Sequence, residues 1–89
     1  MKNMDEIRAD LKKEMATLKQ YEIRANELDA AYEAEPENEE IEQAFDEAYT
    51  AEYEQFAKCV EILVQFTGIE KAIAATMMRT QRTAIEAII

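Results

Sequence analysis

Ala34-Glu35-Pro36-Glu37-Asn38 decides the fold. Proline has no backbone N–H and disfavours helix at the residue before it, so a helix running into this stretch must end near Ala34. Upstream, apolar residues recur at Met4, Ile7, Leu11, Leu18, Tyr21, Ala25, Leu28 and Tyr32, in alternating three- and four-residue steps. Only Glu14 interrupts the register, and Met15 beside it is placed to cover the gap. A heptad stripe of this length predicts one helix over about residues 3–34, a rod of roughly 45 Å at 1.5 Å rise per residue. Arg8, Lys12, Lys19, Glu22 and Asp29 fall on its opposite, solvated side.

Downstream of the proline, Ile41, Phe45, Ala48, Tyr49, Phe56, Cys59, Val60, Leu63 and Val64 form a broader stripe. Its drifting steps suit a straight helix of 3.6 residues per turn and predict a second helix over about 37–66. Pro36 is expected in the first turn of that helix, where a missing N–H costs nothing. Glu37, Glu39 and Glu40 crowd the same turn and favour the positive end of the helix dipole. So short a turn makes the two helices antiparallel neighbours.

The second helix closes at Phe66-Thr67-Gly68. Thr67, followed three residues later by Glu70, has the spacing of a capping box and is expected to open a third helix over about 68–89. One stripe of that helix holds Ile69, Ile73, Met77, Thr80, Ala84 and Ile88; an adjacent one holds Ala74, Met78, Ile85 and Ile89. Two apolar stripes are more than one hairpin groove can cover, which implies self-association, most simply as a dimer, into an oligomeric helical bundle. The expected contact residues are Ile69, Ile73, Met77, Met78, Ile85, Ile88 and Ile89.

Composition agrees with an all-α fold of one domain spanning 1–89. The chain has a single glycine and a single proline, too few punctuators for a β-rich topology. Twenty carboxylates oppose ten basic groups, for a formal charge of −10. That sign opposes direct binding to nucleic acid and to anionic membranes, and makes a basic protein the natural complement. The imbalance is regional. Between Arg24 and Lys58 there is no basic residue, while Glu27, Asp29, Glu33, Glu35, Glu37, Glu39, Glu40, Glu42, Asp46, Glu47, Glu52 and Glu54 all fall there. Glu35, Glu37, Glu39, Glu40, Glu42, Asp46 and Glu47 are the expected acidic partner surface at the hairpin tip, with Tyr32, Tyr49 and Tyr53 nearby as anchors. Met77 and Met78 beside Arg79 and Arg82 form a second candidate surface.

Catalytic chemistry finds few of its usual tools. Histidine is absent, which removes the commonest general base and zinc ligand. One glycine cannot build a phosphate-cradling loop. Glu39 and Glu42 have the spacing of half a carboxylate magnesium site, but no aspartate has a glutamate three residues before it to supply the other half. Cys59, the only cysteine, is expected to be a buried free thiol acting as a small hydrophobe. No apolar run approaches the ~20 residues of a membrane span, and the N-terminal residues lack a signal-peptide core, so the expected location is cytoplasmic. The run Glu35-Pro36-Glu37 leading into Ile41 and Phe45 resembles the turn of bacterial competence-regulator helical hairpins, a likeness that implies a hairpin and nothing further.

The expected function is therefore a non-enzymatic, cofactor-free interaction or assembly (adaptor) protein, of the kind found among small bacterial and phage accessory proteins, self-associating through helix 3. The alternative is an acidic inhibitor or regulator that docks on a basic nucleic-acid-binding partner, as a mimic of nucleic-acid phosphates.

Overall fold

A computed structural model describes all residues, Met1–Ile89. Four helices and no strands make up the chain: α1 Met4–Ala34, α2 Glu39–Thr67, α3 Lys71–Thr80 and α4 Arg82–Ile88. α1 starts where Asn3 Oδ1 accepts the Glu6 N–H at 2.9 Å, and Asp5 and Glu6 complement the dipole in its first turn. It ends at Ala34, as the proline demands. Pro36, however, lies in the interhelical turn and not in the first turn of α2. The cap is Asn38 instead, whose Oδ1 accepts the N–H groups of Glu40 (3.1 Å) and Ile41 (3.2 Å). Asparagine satisfies two orphan donors, whereas Pro36 would satisfy none, so α2 begins later than the sequence predicts.

α1 and α2 form the long antiparallel hairpin, in a molecule 48 × 23 × 20 Å. Its packing is uneven along the rod. The core cluster joins Leu11, Met15 and Leu18 of α1 to Cys59, Val60 and Leu63 of α2, with Ala74 and Met78 from α3 and Ile85 from α4. All of these lie in the half away from Pro36. Each fully buried large apolar side chain contributes about 1.5–3 kcal/mol, so stability is concentrated there. Between Lys19 and Glu54 only Ala25 is buried. Where the apolar register of α1 breaks, Met15 is buried as expected, and Glu14 turns partly inward as well. Its side chain and carbonyl oxygens accept two hydrogen bonds from Gln55 Nε2, at 2.7 and 2.9 Å, and Lys58 Nζ lies 3.3 Å from the carboxylate. A polar pair thus replaces the missing hydrophobic contact without leaving a buried group unsatisfied.

The passage from α2 to α3 also departs from the expected capping box. Thr67 Oγ1 donates back to the Leu63 carbonyl at 2.8 Å and accepts the Ile69 N–H at 3.4 Å, and α3 begins only at Lys71. Gly68 ends α2 in the left-handed region (φ 74°), its N–H donating to the Val64 carbonyl at 2.7 Å. A side chain there would meet nothing within 4 Å, so glycine is needed for its backbone alone.

Helix 3 is not continuous over 68–89. It breaks at Gln81 (φ −131°, ψ 39°) although no glycine or proline stands there. The Met78 carbonyl, which would accept the Arg82 N–H in an unbroken helix, accepts Arg82 Nε at 3.1 Å instead. Thr76 and Thr80 bond back to the carbonyls of Ala72 and Thr76, a pattern that bends helices. The bend brings Arg82 onto Glu22 and Ile85 into the core, and these tertiary gains override local helix propensity.

Candidate functional site

Folding back at Gly68 sets the geometry. α3 retraces α2, so a residue eleven past Gly68 comes opposite a residue about eleven before it. Arg79 accordingly lies over Phe56, its guanidinium carbon 6.0 Å from the ring centroid. α3 stops at Thr80, and from there toward Pro36 the same side of the hairpin is uncovered. Tyr49, Tyr53 and Phe56 sit at four- and three-residue spacings on α2 and share that side with Phe45. Tyr49 and Tyr53 are 59% and 68% exposed. An aromatic ladder continues toward the tip: Tyr32 and Phe45 have ring centroids 6.1 Å apart, Phe45 and Tyr49 6.2 Å.

Where the ladder meets the end of α3 there is an open cleft of about 470 Å³, lined by Glu22, Tyr49, Glu52, Tyr53, Phe56, Arg79 and Arg82. Its charges are not equivalent. Arg82 is held by Glu22, with both side chains largely covered. Arg79 makes no ion pair and spends one weak hydrogen bond, 3.5 Å, on Thr76 Oγ1, leaving guanidinium donors free toward the cleft. Glu52 lies beside Glu22. Burial first, and the Glu22 charge second, push the Glu52 carboxyl above its ordinary range, with Arg82 opposing.

A carboxyl pushed up on folding disfavours the folded state once it ionises. Glu52→Gln is therefore expected to stabilise the protein at neutral pH, and the gain should fade on acidification, as Glu52 in the parent takes up its proton. Urea unfolding at pH 7 and pH 4 checks this; a gain that grows toward pH 4 would contradict the assignment.

Of the residues expected to self-associate, Met78 and Ile85 are fully buried in the chain's own core and present no surface. Ile69, Met77 and Ile89 are half-buried against that core; Ile73 and Ile88 remain 51% and 52% exposed. The two stripes of the predicted third helix have thus split, because the hairpin groove admits only one. Glu35, Glu37, Glu39, Glu40, Glu42, Asp46 and Glu47 are all exposed, around the turn and the first part of α2. Tyr49 and Tyr53, read with that tip, and Arg79 and Arg82, read with the far helix, meet in one cleft. Glu22, read as solvated, is half-buried in its wall. The mirror spacing about Gly68 was the one available signal for this meeting.

Glu39 and Glu42 stand exposed in the first turn of α2, and no three carboxylate or thiol side chains converge on a common point suited to a metal ion. No helix is long and apolar enough to cross a membrane. Comparison with family models, curated proteins and solved structures finds no match to the chain.

Proposed function

We propose that the protein is a non-catalytic helical interaction module that captures a basic, amphipathic helix of a partner protein on the open side of its hairpin. The observation that carries this reading is the uncovered aromatic row beyond Thr80, leading to a turn whose carboxylates fall in a stretch with no basic residue between Arg24 and Lys58. Along α1, Asp29 and Glu33 share one side with Glu22, which Arg82 already pairs; Glu42 and Tyr49, seven residues apart, share one side of α2. A third helix laid there would complete in the distal half the layer that α3 supplies in the proximal half. Covering Tyr49 and Tyr53 removes on the order of 200 Å² from water, about 5 kcal/mol before the entropic cost of association. Lys and Arg flanking the partner's apolar stripe would meet the carboxylates and make association salt-dependent.

Titration with a synthetic peptide of leucines on one helical face and lysines on the other tests the proposal. Binding should weaken steeply with salt. Tyr49→Ala and Tyr53→Ala should each lower affinity about tenfold while melting temperatures stay close to the parent's, since both rings are mostly exposed. Binding that is indifferent to both substitutions would sink it.

Self-association through Ile73 and Ile88 is the second reading, favoured by their half-exposed side chains on neighbouring short helices. Light scattering decides it: a mass that stays at 10.3 kDa at all concentrations removes it.

A further inference from the structure

Resting on that reading, we infer that the docked helix is about four turns long and has a fixed polarity, N-terminus at the Pro36 turn and C-terminus in the Arg79 cleft. The length comes from the face itself. Tyr53, in the cleft, lies fourteen residues after Glu39, at the start of α2, a rise of roughly 21 Å. At the proximal end Arg79 and Arg82, on either side of the α3–α4 break, wall the cleft, so a longer helix would collide with that bend.

Polarity follows from the charges at the two ends. A helix leaves four N–H groups free at its N-terminus, with partial positive charge, and four carbonyls free at its C-terminus, with partial negative charge. Glu35, Glu37, Glu39 and Glu40 surround the turn without a basic neighbour and suit the first of these. Arg79, unpaired and with donors to spare, suits the second. The two ends act in the same sense. α1 and α2 run in opposite directions beside the docked helix, so their dipoles largely cancel. Opposing influences are Glu52 in the cleft, beside the Glu22–Arg82 pair, and the C-terminus of α3, which is blunted because the Met77 carbonyl accepts the Gln81 N–H at 2.7 Å and the Met78 carbonyl accepts Arg82 Nε.

The decisive experiment uses a fourteen-residue palindromic leucine/lysine peptide. Only backbone direction then distinguishes its ends. Carrying a nitroxide at one end or the other, it is added to the ¹⁵N-labelled full chain. A C-terminal nitroxide should broaden the amides of Thr80, Gln81 and Arg82, and an N-terminal one those of Glu37, Asn38 and Glu39. Peptide with a free C-terminal carboxylate should bind about threefold tighter than its amide, and Arg79→Glu should abolish that difference. Bound peptide that broadens both ends alike, or in the reverse sense, overturns the polarity while leaving the docking face intact. Absence of any binding overturns both, as does a concentration-dependent dimer that covers Tyr49 and Tyr53.

Discussion

Ile85→Ala should lower stability by about 2–5 kcal/mol, whereas Ile88→Ala, three residues on, should change it by less than about 0.5 kcal/mol. Ile85 is 0% exposed and joins α4 to the core; Ile88 is 52% exposed. Truncating the first removes its transfer free energy and leaves a cavity among Met78 and its neighbours. In a chain of 89 residues the total stability stands near the lower end of the usual ~5–15 kcal/mol, so the loss would leave a large unfolded fraction at ambient temperature. Urea unfolding of both variants provides the comparison. Equal losses, or a larger loss at Ile88 that fades on dilution, would mean that a second chain covers the outer stripe and that the core assignment of α4 is incomplete.

Cys59 gives the other large effect. Its thiol is 0% exposed, and burial first, with Glu14 second, pushes its pKa up to about 11 from an ordinary 9.0. Two units remove about a hundredfold of the reactive thiolate at mildly alkaline pH. Reagents must in addition wait for the helices to part, so labelling by an aromatic disulfide should run at least about a thousandfold slower than in urea-unfolded chain. Reaction as fast as in the denatured chain would show that Cys59 is accessible and that the proximal core is not closed. Because Cys59 is core and not rim, the rate also reports how often that core opens.

The hairpin was legible because each of its determinants is local. Pro36 stops a helix wherever it stands, and the apolar steps of α1 need only counting. The caps were harder. Asn38 and Thr67 are both good capping residues, and which of them serves depends on a turn geometry that the spacing does not contain. The break at Gln81 was invisible for a stronger reason. Thr80-Gln81-Arg82 continues a helix by propensity, and the bend is favoured only once Glu22 and the hairpin groove are in place. For the same reason the two stripes of the last segment could not be ranked: Ile73 and Ile88 are as apolar as Met78 and Ile85, and only docking on α2 chooses between them. The acidity of the tip was plain from composition. The cleft was not, because its walls come from residues 22, 49–56 and 79–82, which meet only after the chain has reversed twice.

Ala25 as the lone buried residue of the distal half carries a mechanical consequence. The rod resembles tweezers tied at the tips: a welded base of four helices and two blades that carry Leu28, Tyr32, Ile41 and Phe45, side chains all only half-covered, with Tyr32 stacked on Phe45. Glu14 and Gln55 form a rivet within the base, one turn short of Leu18, its last core residue on α1. Blades sprung so lightly can bow apart midway without unfolding the base, while the Pro36 turn keeps their tips tied. Their mid-span separation is then expected to be the soft coordinate of the molecule, with distal amides exchanging their hydrogens faster than proximal ones.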